Sequence, residues 1–172
     1  SRFEQRGDSL PKELGIPDGS RIVLYLGSSD RYYNVDMLVE VLRKLPKEAV
    51  LVIAGVKAQD QIRLQNRAEA LGVEKRLYLR GRVDFRDVPK YLYVADVLLN
   101  PKMRGYAGSV SAKLYEYLAS GKPIVASVVP ADREVLNEKN ALVVKARPEE
   151  FADAIIKLLS SPALCSDLGR EA

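Results

Sequence analysis

Between residues 21 and 160 the chain alternates short, unbroken apolar runs with longer stretches whose apolar residues recur at helical spacing. Arg21-Ile-Val-Leu-Tyr-Leu-Gly27 is a run of the first kind, closed by a glycine. Residues 34–45 place Val35, Leu38, Val39, Val41, Leu42 and Leu45 three and four positions apart, which puts them on one face of a helix. Ala49–Gly55 is a second strand run, and a Gln- and Arg-rich helix is predicted over 59–71. Further strands are predicted at Leu77–Gly81, Val97–Asn100, Pro123–Ser127 and 141–144. The intervening helices are predicted near 86–94 and over 110–120, with a single turn at 131–136 and a last helix over 148–160. Residues 1–20, broken by Pro11, Gly15, Pro17 and Gly19, read as a connector, and 161–172 as a tail.

Strand runs that are apolar throughout, rather than alternating, belong in a sheet covered on both faces. Strict alternation of strand and helix makes neighbouring strands parallel, joined by right-handed crossovers. The predicted fold is therefore α/β: a doubly wound, Rossmann-like parallel sheet of about six strands over 21–160. Such sheets bind ligands at the carboxyl ends of their strands, where strand order reverses. The loops after Gly27, Gly55, Gly81, Asn100 and Ser127 are thus the places to look.

Composition removes whole chemistries. Of 172 residues none is histidine, so there is no Ser-His-Asp or Cys-His machinery and no imidazole ligand. A single cysteine, Cys165, allows neither an internal disulfide nor a cysteine-built metal site. No Asp-x-Asp pair offers a simple carboxylate cradle for a metal. The net charge of +4 mildly favours anionic ligands, yet no Lys/Arg run exceeds two residues, so a nucleic-acid partner is not expected. A G-x-G-x-x-G after the first strand and a G-x-x-x-x-G-K-[ST] are both missing, which argues against dinucleotide and P-loop sites.

The richest stretch is Gly105-Tyr-Ala-Gly-Ser-Val-Ser-Ala-Lys-Leu-Tyr-Glu-Tyr-Leu-Ala-Ser-Gly-Lys-Pro123. Ser109 and Ser111 lead into a helix whose first amides, together with the helix dipole, suit a phosphate. Lys113 adds a full charge in the first turn. Glu116, about 4.5 Å further along the axis, can accept two hydrogen bonds from a ribose diol. The competing reading is an exposed Lys113–Glu116 ion pair with no ligand.

This stretch resembles the donor-site signature of glycosyltransferase family 4, retaining enzymes of the GT-B fold. The resemblance rests on Lys113–Ser127, on Gly81-Arg-Val-Asp-Phe-Arg-Asp-Val-Pro89 and on Ala95-Asp96. Tyr25-Leu-Gly27, Asn34-x-Asp36-x-Leu38 and the closing Glu149-Glu-Phe-Ala-Asp-Ala-Ile extend it over nearly the whole chain. It implies one half of a GT-B architecture, the half that binds a nucleoside diphosphate sugar. Residues 1–20 would then connect to a missing N-terminal domain that holds the acceptor, a sugar, lipid or polysaccharide. It also implies transfer with retention, no metal and no cofactor, and a cytoplasmic enzyme, or one held at the cytosolic face of a membrane through the missing domain. The substrate-binding residues it implies are Gly27, Ser28, Arg31, Arg82, Val83, Ser109, Ser111, Lys113, Leu114 and Glu116, with Arg82 and Val83 turning main-chain groups to the base. No catalytic residue is assigned within this domain.

Three positions depart from the pattern. The family's first glutamate, eight residues before Glu116, is Gly108, although Ser111-x-Lys113-x-x-Glu116 matches a subset of the family. The arginine and lysine that grip the diphosphate after the first strand are Ser28 and Tyr33. These departures keep one alternative in play, a non-catalytic nucleotide-binding or scaffolding domain; a second is half of a sugar-nucleotide 2-epimerase, since such enzymes share the two-domain architecture that the resemblance implies.

Overall fold

The computed structural model describes residues 9–106 and 108–170. Six strands, β1 (Arg21–Leu26), β2 (Ala49–Ala54), β3 (Leu77–Arg80), β4 (Val97–Asn100), β5 (Ile124–Ser127) and β6 (Leu142–Val144), form one sheet in the order β3-β2-β1-β4-β5-β6. All five pairings are parallel. Strand order reverses between β1 and β4, so the switch point lies at the carboxyl ends of those two strands.

The unbroken apolar runs divide by parity between two cores. Val23 and Tyr25 of β1, with Ala49, Leu51 and Ile53 of β2, face one side, under helices α2 (Val35–Lys44), α3 (Ala58–Leu71) and α6 (Pro148–Leu159). Ile22, Leu24 and Leu26, with Val50, Val52 and Ala54, face the other, under α1 (Leu10–Leu14), α4 (Val88–Val94) and α5 (Ala112–Ala119). At the ends of β1 and β2 the backbones approach so closely that a Cβ on Gly55, at φ +96°, would sit 2.7 Å from the Gly27 carbonyl oxygen. Glycine is required there.

Two segments differ from their expected roles. Residues 10–14 are not a bare connector but the helix α1, with Leu10, Leu14 and Ile16 buried in the second core. Burying three such side chains contributes several kcal/mol, which outweighs the breakers Pro11 and Gly15: Pro11 falls in the first turn, where it is tolerated, and Gly15 is a left-handed C-cap. Residues 162–170 are a helix, α7 (Pro162–Arg170), not a tail; Leu168 is buried, and Gly169 lies so close to the Gly121 carbonyl that a Cβ would collide with it. Among the described residues no helix is long and apolar enough to cross a membrane.

Candidate functional site

At the switch point the loop after β1 is fastened to the loop after β4. The Asn34 amide donates to the Pro101 carbonyl (2.6 Å) and the Met103 amide to the Tyr32 carbonyl (2.8 Å), with Tyr33 and Lys102 bridged antiparallel. The start of α5 faces this seam. Ser111 is the N-cap residue of the helix, and its buried hydroxyl lies beside that of Tyr33.

Lys113, the second residue of α5, turns inward. Its Nζ lies 4.2 Å from the centroid of the Tyr25 ring and 3.8 Å from that of Tyr33, between two rings tilted at 57°. Gly27 leaves the room: a Cβ there would stand 3.2 Å from this Nζ. The Nζ is fully buried and makes no hydrogen bond among the described residues. Burial is the main force holding its pKa well below the ordinary lysine value, and the nearby Lys102 charge adds to it while Asp132 opposes it. Compensation for the charged form comes from the two aromatic faces, by cation–π attraction. Burial likewise raises the Tyr25 and Tyr33 hydroxyls, so neither tyrosine is a ready anion for the lysine.

Glu116 opens elsewhere, into a cavity of about 450 Å³ between α4 and α5 whose wall includes Phe85, Val88, Pro89 and Tyr93. The exposed Lys113–Glu116 ion pair is therefore not formed: one side chain addresses the loop after β1, the other the groove beside α4. Leu114 is buried in the second core and helps to fix α5 on the sheet.

The remaining predicted residues divide. Ser28 sits at the loop start, its carbonyl accepting from the Tyr25 hydroxyl (2.5 Å) and its own hydroxyl donating to Asp30 (2.7 Å). The Ser109 carbonyl accepts from Tyr106 Oη (3.2 Å) and from Lys102 Nζ (3.5 Å). Gly27, Ser109, Ser111 and Lys113 are thus brought to one place. Arg31 is not among them: it lies over the Tyr32 ring, 5.0 Å from its centroid, and donates to that hydroxyl. Arg82 is exposed and Val83 packs against the second core, so neither side chain reaches Lys113.

Sequence reasoning missed a buried network beneath the site. Lys102 and Asp132, both almost wholly inaccessible, pair at 2.6 Å, and Asn100 Nδ2 donates to the other Asp132 oxygen at 2.8 Å. The signal was present only in outline, as polar residues at the carboxyl ends of β4 and just past β5. Pairing them requires knowing that those strands are adjacent. Among the described residues no group of three or more His, Cys, Asp or Glu stands together as a metal site.

Residues 8–172 match the family of glycosyl transferases group 1. The D-inositol 3-phosphate glycosyltransferase of Xylanimonas cellulosilytica is 31% identical over 95% of this chain, and the match covers 38% of that protein. The Anabaena protein HepE, solved in complex with UDP-glucose, superposes with a TM-score of 0.85 at 18% identity, covering 96% of this chain and 46% of that one. A chain described as the C-terminal domain of a glycosyl transferase group 1 family protein from Francisella tularensis superposes with a TM-score of 0.78 at 17% identity, covering 99% of this chain and 88% of that one. At these identities the superpositions establish the fold. The chain spans less than half the length of the curated relatives it matches. With the family matched from end to end of the described residues, the chain belongs to the glycosyl transferases group 1.

Proposed function

We propose that this chain is the donor-binding half of a retaining, GT-B glycosyltransferase, which takes a nucleoside diphosphate sugar and passes the sugar to an acceptor held by a separate N-terminal domain. The diphosphate lies against the start of α5, with Ser111 and the first amides of the helix on one side and Lys113 Nζ on the other. The observation that carries this reading is the buried Lys113 amine, which stands at a helix N-terminus with donors to offer and no acceptor to receive them. The HepE complex with UDP-glucose supports a nucleotide sugar as the ligand class.

The reading also accounts for the departures in the loop after β1. A cation expected at positions 28 and 33 is supplied instead from α5, and Tyr33 serves as the aromatic wall that holds it. As the sugar–phosphate bond breaks, negative charge grows on the leaving diphosphate. Lys113 and the helix amides stabilise that charge from fixed positions, with no metal required. The ribose diol is held by Glu116, and the base enters the cavity of about 450 Å³ whose wall Glu116 shares. Main-chain groups of Arg82 and Val83 meet the base, and Ser28 stands beside the diphosphate. Arg31 rests on the Tyr32 ring and bonds its hydroxyl.

The test is calorimetric titration of UDP, GDP and the matching nucleosides into the chain and its Lys113→Met variant. Loss of one charge-assisted contact is about 1.5–3 kcal/mol, roughly a 10- to 150-fold weaker diphosphate, with nucleoside affinity unchanged. Equal losses for nucleotide and nucleoside, or no saturable binding of any nucleotide, would refute the assignment.

A further inference from the structure

A second cavity, of about 580 Å³, opens between the two fastened loops, one residue outward from the diphosphate seam on each side. Tyr32 and Tyr106 form its aromatic wall, edge to face, with centroids 5.5 Å apart and planes at 72°. Arg104, Gly108 and Ser109 complete the lining that matters here. Three features set its chemistry.

Position 108 contributes no side chain. A Cβ there would run into the Tyr106 hydroxyl, so this tyrosine keeps its place only because residue 108 is glycine. The positive charge beneath Tyr106, Lys102 at 4.4 Å from the ring centroid, is already met by Asp132. Arg104 is different: it is exposed, lines the cavity, and has no ion pair or side-chain hydrogen bond among the described residues. Arg31 adds a second guanidinium at the rim, over Tyr32. Among the described residues no carboxylate answers them. Asp30 is engaged with Ser28 and Lys57, and Asp132 is buried against Lys102.

A neutral sugar presents many hydroxyl donors and is best met by carboxylate acceptors, which this cavity lacks among its described residues. It offers instead an aromatic face for the C–H side of a pyranose ring and a free planar guanidinium, the group suited to bidentate pairing with a carboxylate. Resting on the donor-site reading above, we propose that the transferred sugar is a hexuronic acid, its ring against Tyr106 and its carboxylate on Arg104.

The experiment compares matched donors that differ only at the sugar's C6: UDP-glucuronate against UDP-glucose, and GDP-mannuronate against GDP-mannose, each titrated into the chain and into Arg104→Met. The expected result is that the acidic member of one pair binds about fivefold tighter at low salt, as a rim ion pair gives. That advantage shrinks as salt rises and vanishes in Arg104→Met. If both members bind alike while UDP or GDP alone still binds, the acidic-sugar assignment is overturned and the diphosphate reading stands. If donors are indistinguishable but free glucuronate binds the UDP-saturated chain, the acid is an acceptor and the donor assignment is overturned. If no nucleotide binds at all, the diphosphate reading fails and this one falls with it.

Discussion

Binding of a nucleotide sugar to this chain should be coupled to proton uptake, through Lys113. In the empty site the amine is desolvated and neighboured by Lys102, and its pKa is held well below the ordinary lysine value. A phosphate oxygen one hydrogen bond away changes the balance. At an effective dielectric near 20, a charge pair at about 4 Å is worth about 4 kcal/mol, which favours the protonated amine. The amine of the complex is therefore protonated over a pH range in which the free amine is not. Within that window, affinity falls as pH rises, by up to about tenfold per pH unit for one linked proton. The assay is calorimetry at fixed pH in buffers of different ionisation enthalpy, repeated across the neutral and mildly alkaline range. A nucleotide sugar is the right ligand, since its diphosphate diester keeps a constant charge through the window. The other groups facing Lys113 are Tyr25, Tyr33, Lys102 and Asp132. Burial raises both tyrosines, so they stay protonated through this range. Lys113→Met isolates the lysine, and proton uptake should drop to near zero in it. Tight binding by the unaltered chain with no proton uptake, or equal uptake by the variant, would refute the reasoning.

Two further outcomes concern the frame of the site. Tyr117, fully buried, accepts the Leu26 amide at 2.9 Å and donates to the Leu26 carbonyl at 3.3 Å, so Tyr117→Phe strands a buried N–H at the end of β1. It should cost about 1–3 kcal/mol, read by urea unfolding; a loss below about 0.5 kcal/mol would mean that the hydroxyl does not hold β1 to α5. In a thermodynamic cycle, Lys102→Met and Asp132→Leu should each cost about 3–5 kcal/mol, because each leaves an uncompensated buried charge, and the double variant should cost clearly less than their sum. Additive losses would show that the pair is not coupled.

How much of this was legible beforehand depends on the range of the interactions. The strands were readable because each buries both faces, and an apolar run as short as Ala49 to Ala54 fits a strand between two helical layers better than a helix. Their sheet order was not, since nothing local in Val97–Asn100 says that it lies beside β1. Helix α1 was obscured by Pro11 and Gly15, although Leu10 and Leu14 stand at helical spacing and are both buried. At the site, the residue types around α5 were readable, and the direction of Lys113 was not. That direction depends on Tyr25 and Tyr33 forming a slot, and on Gly27 leaving it open. The Lys102–Asp132 pair was hidden for the same reason as the sheet order: its two halves follow adjacent strands that are separated in sequence by a whole crossover.

The distribution of unsatisfied groups ties stability to purpose. Among the described residues, Glu74 Oε2, just before β3, is one buried side-chain atom without a partner, whereas Asn100 Oδ1, Lys113 Nζ and Ser127 Oγ all belong to the carboxyl ends of β4 and β5 or to the start of α5. Each costs about 1–3 kcal/mol against a satisfied equivalent. Spread through the protein, such atoms would be packing faults; gathered at the switch point, they form a prepared surface. Ser111 Oγ and Lys113 Nζ stand on the same turn of one helix, and the lysine has donors without an acceptor. An anion that fills the place between them recovers that cost on binding. A folded state slightly less stable than its packing allows thus becomes one whose affinity is directed to a negatively charged ligand at one place.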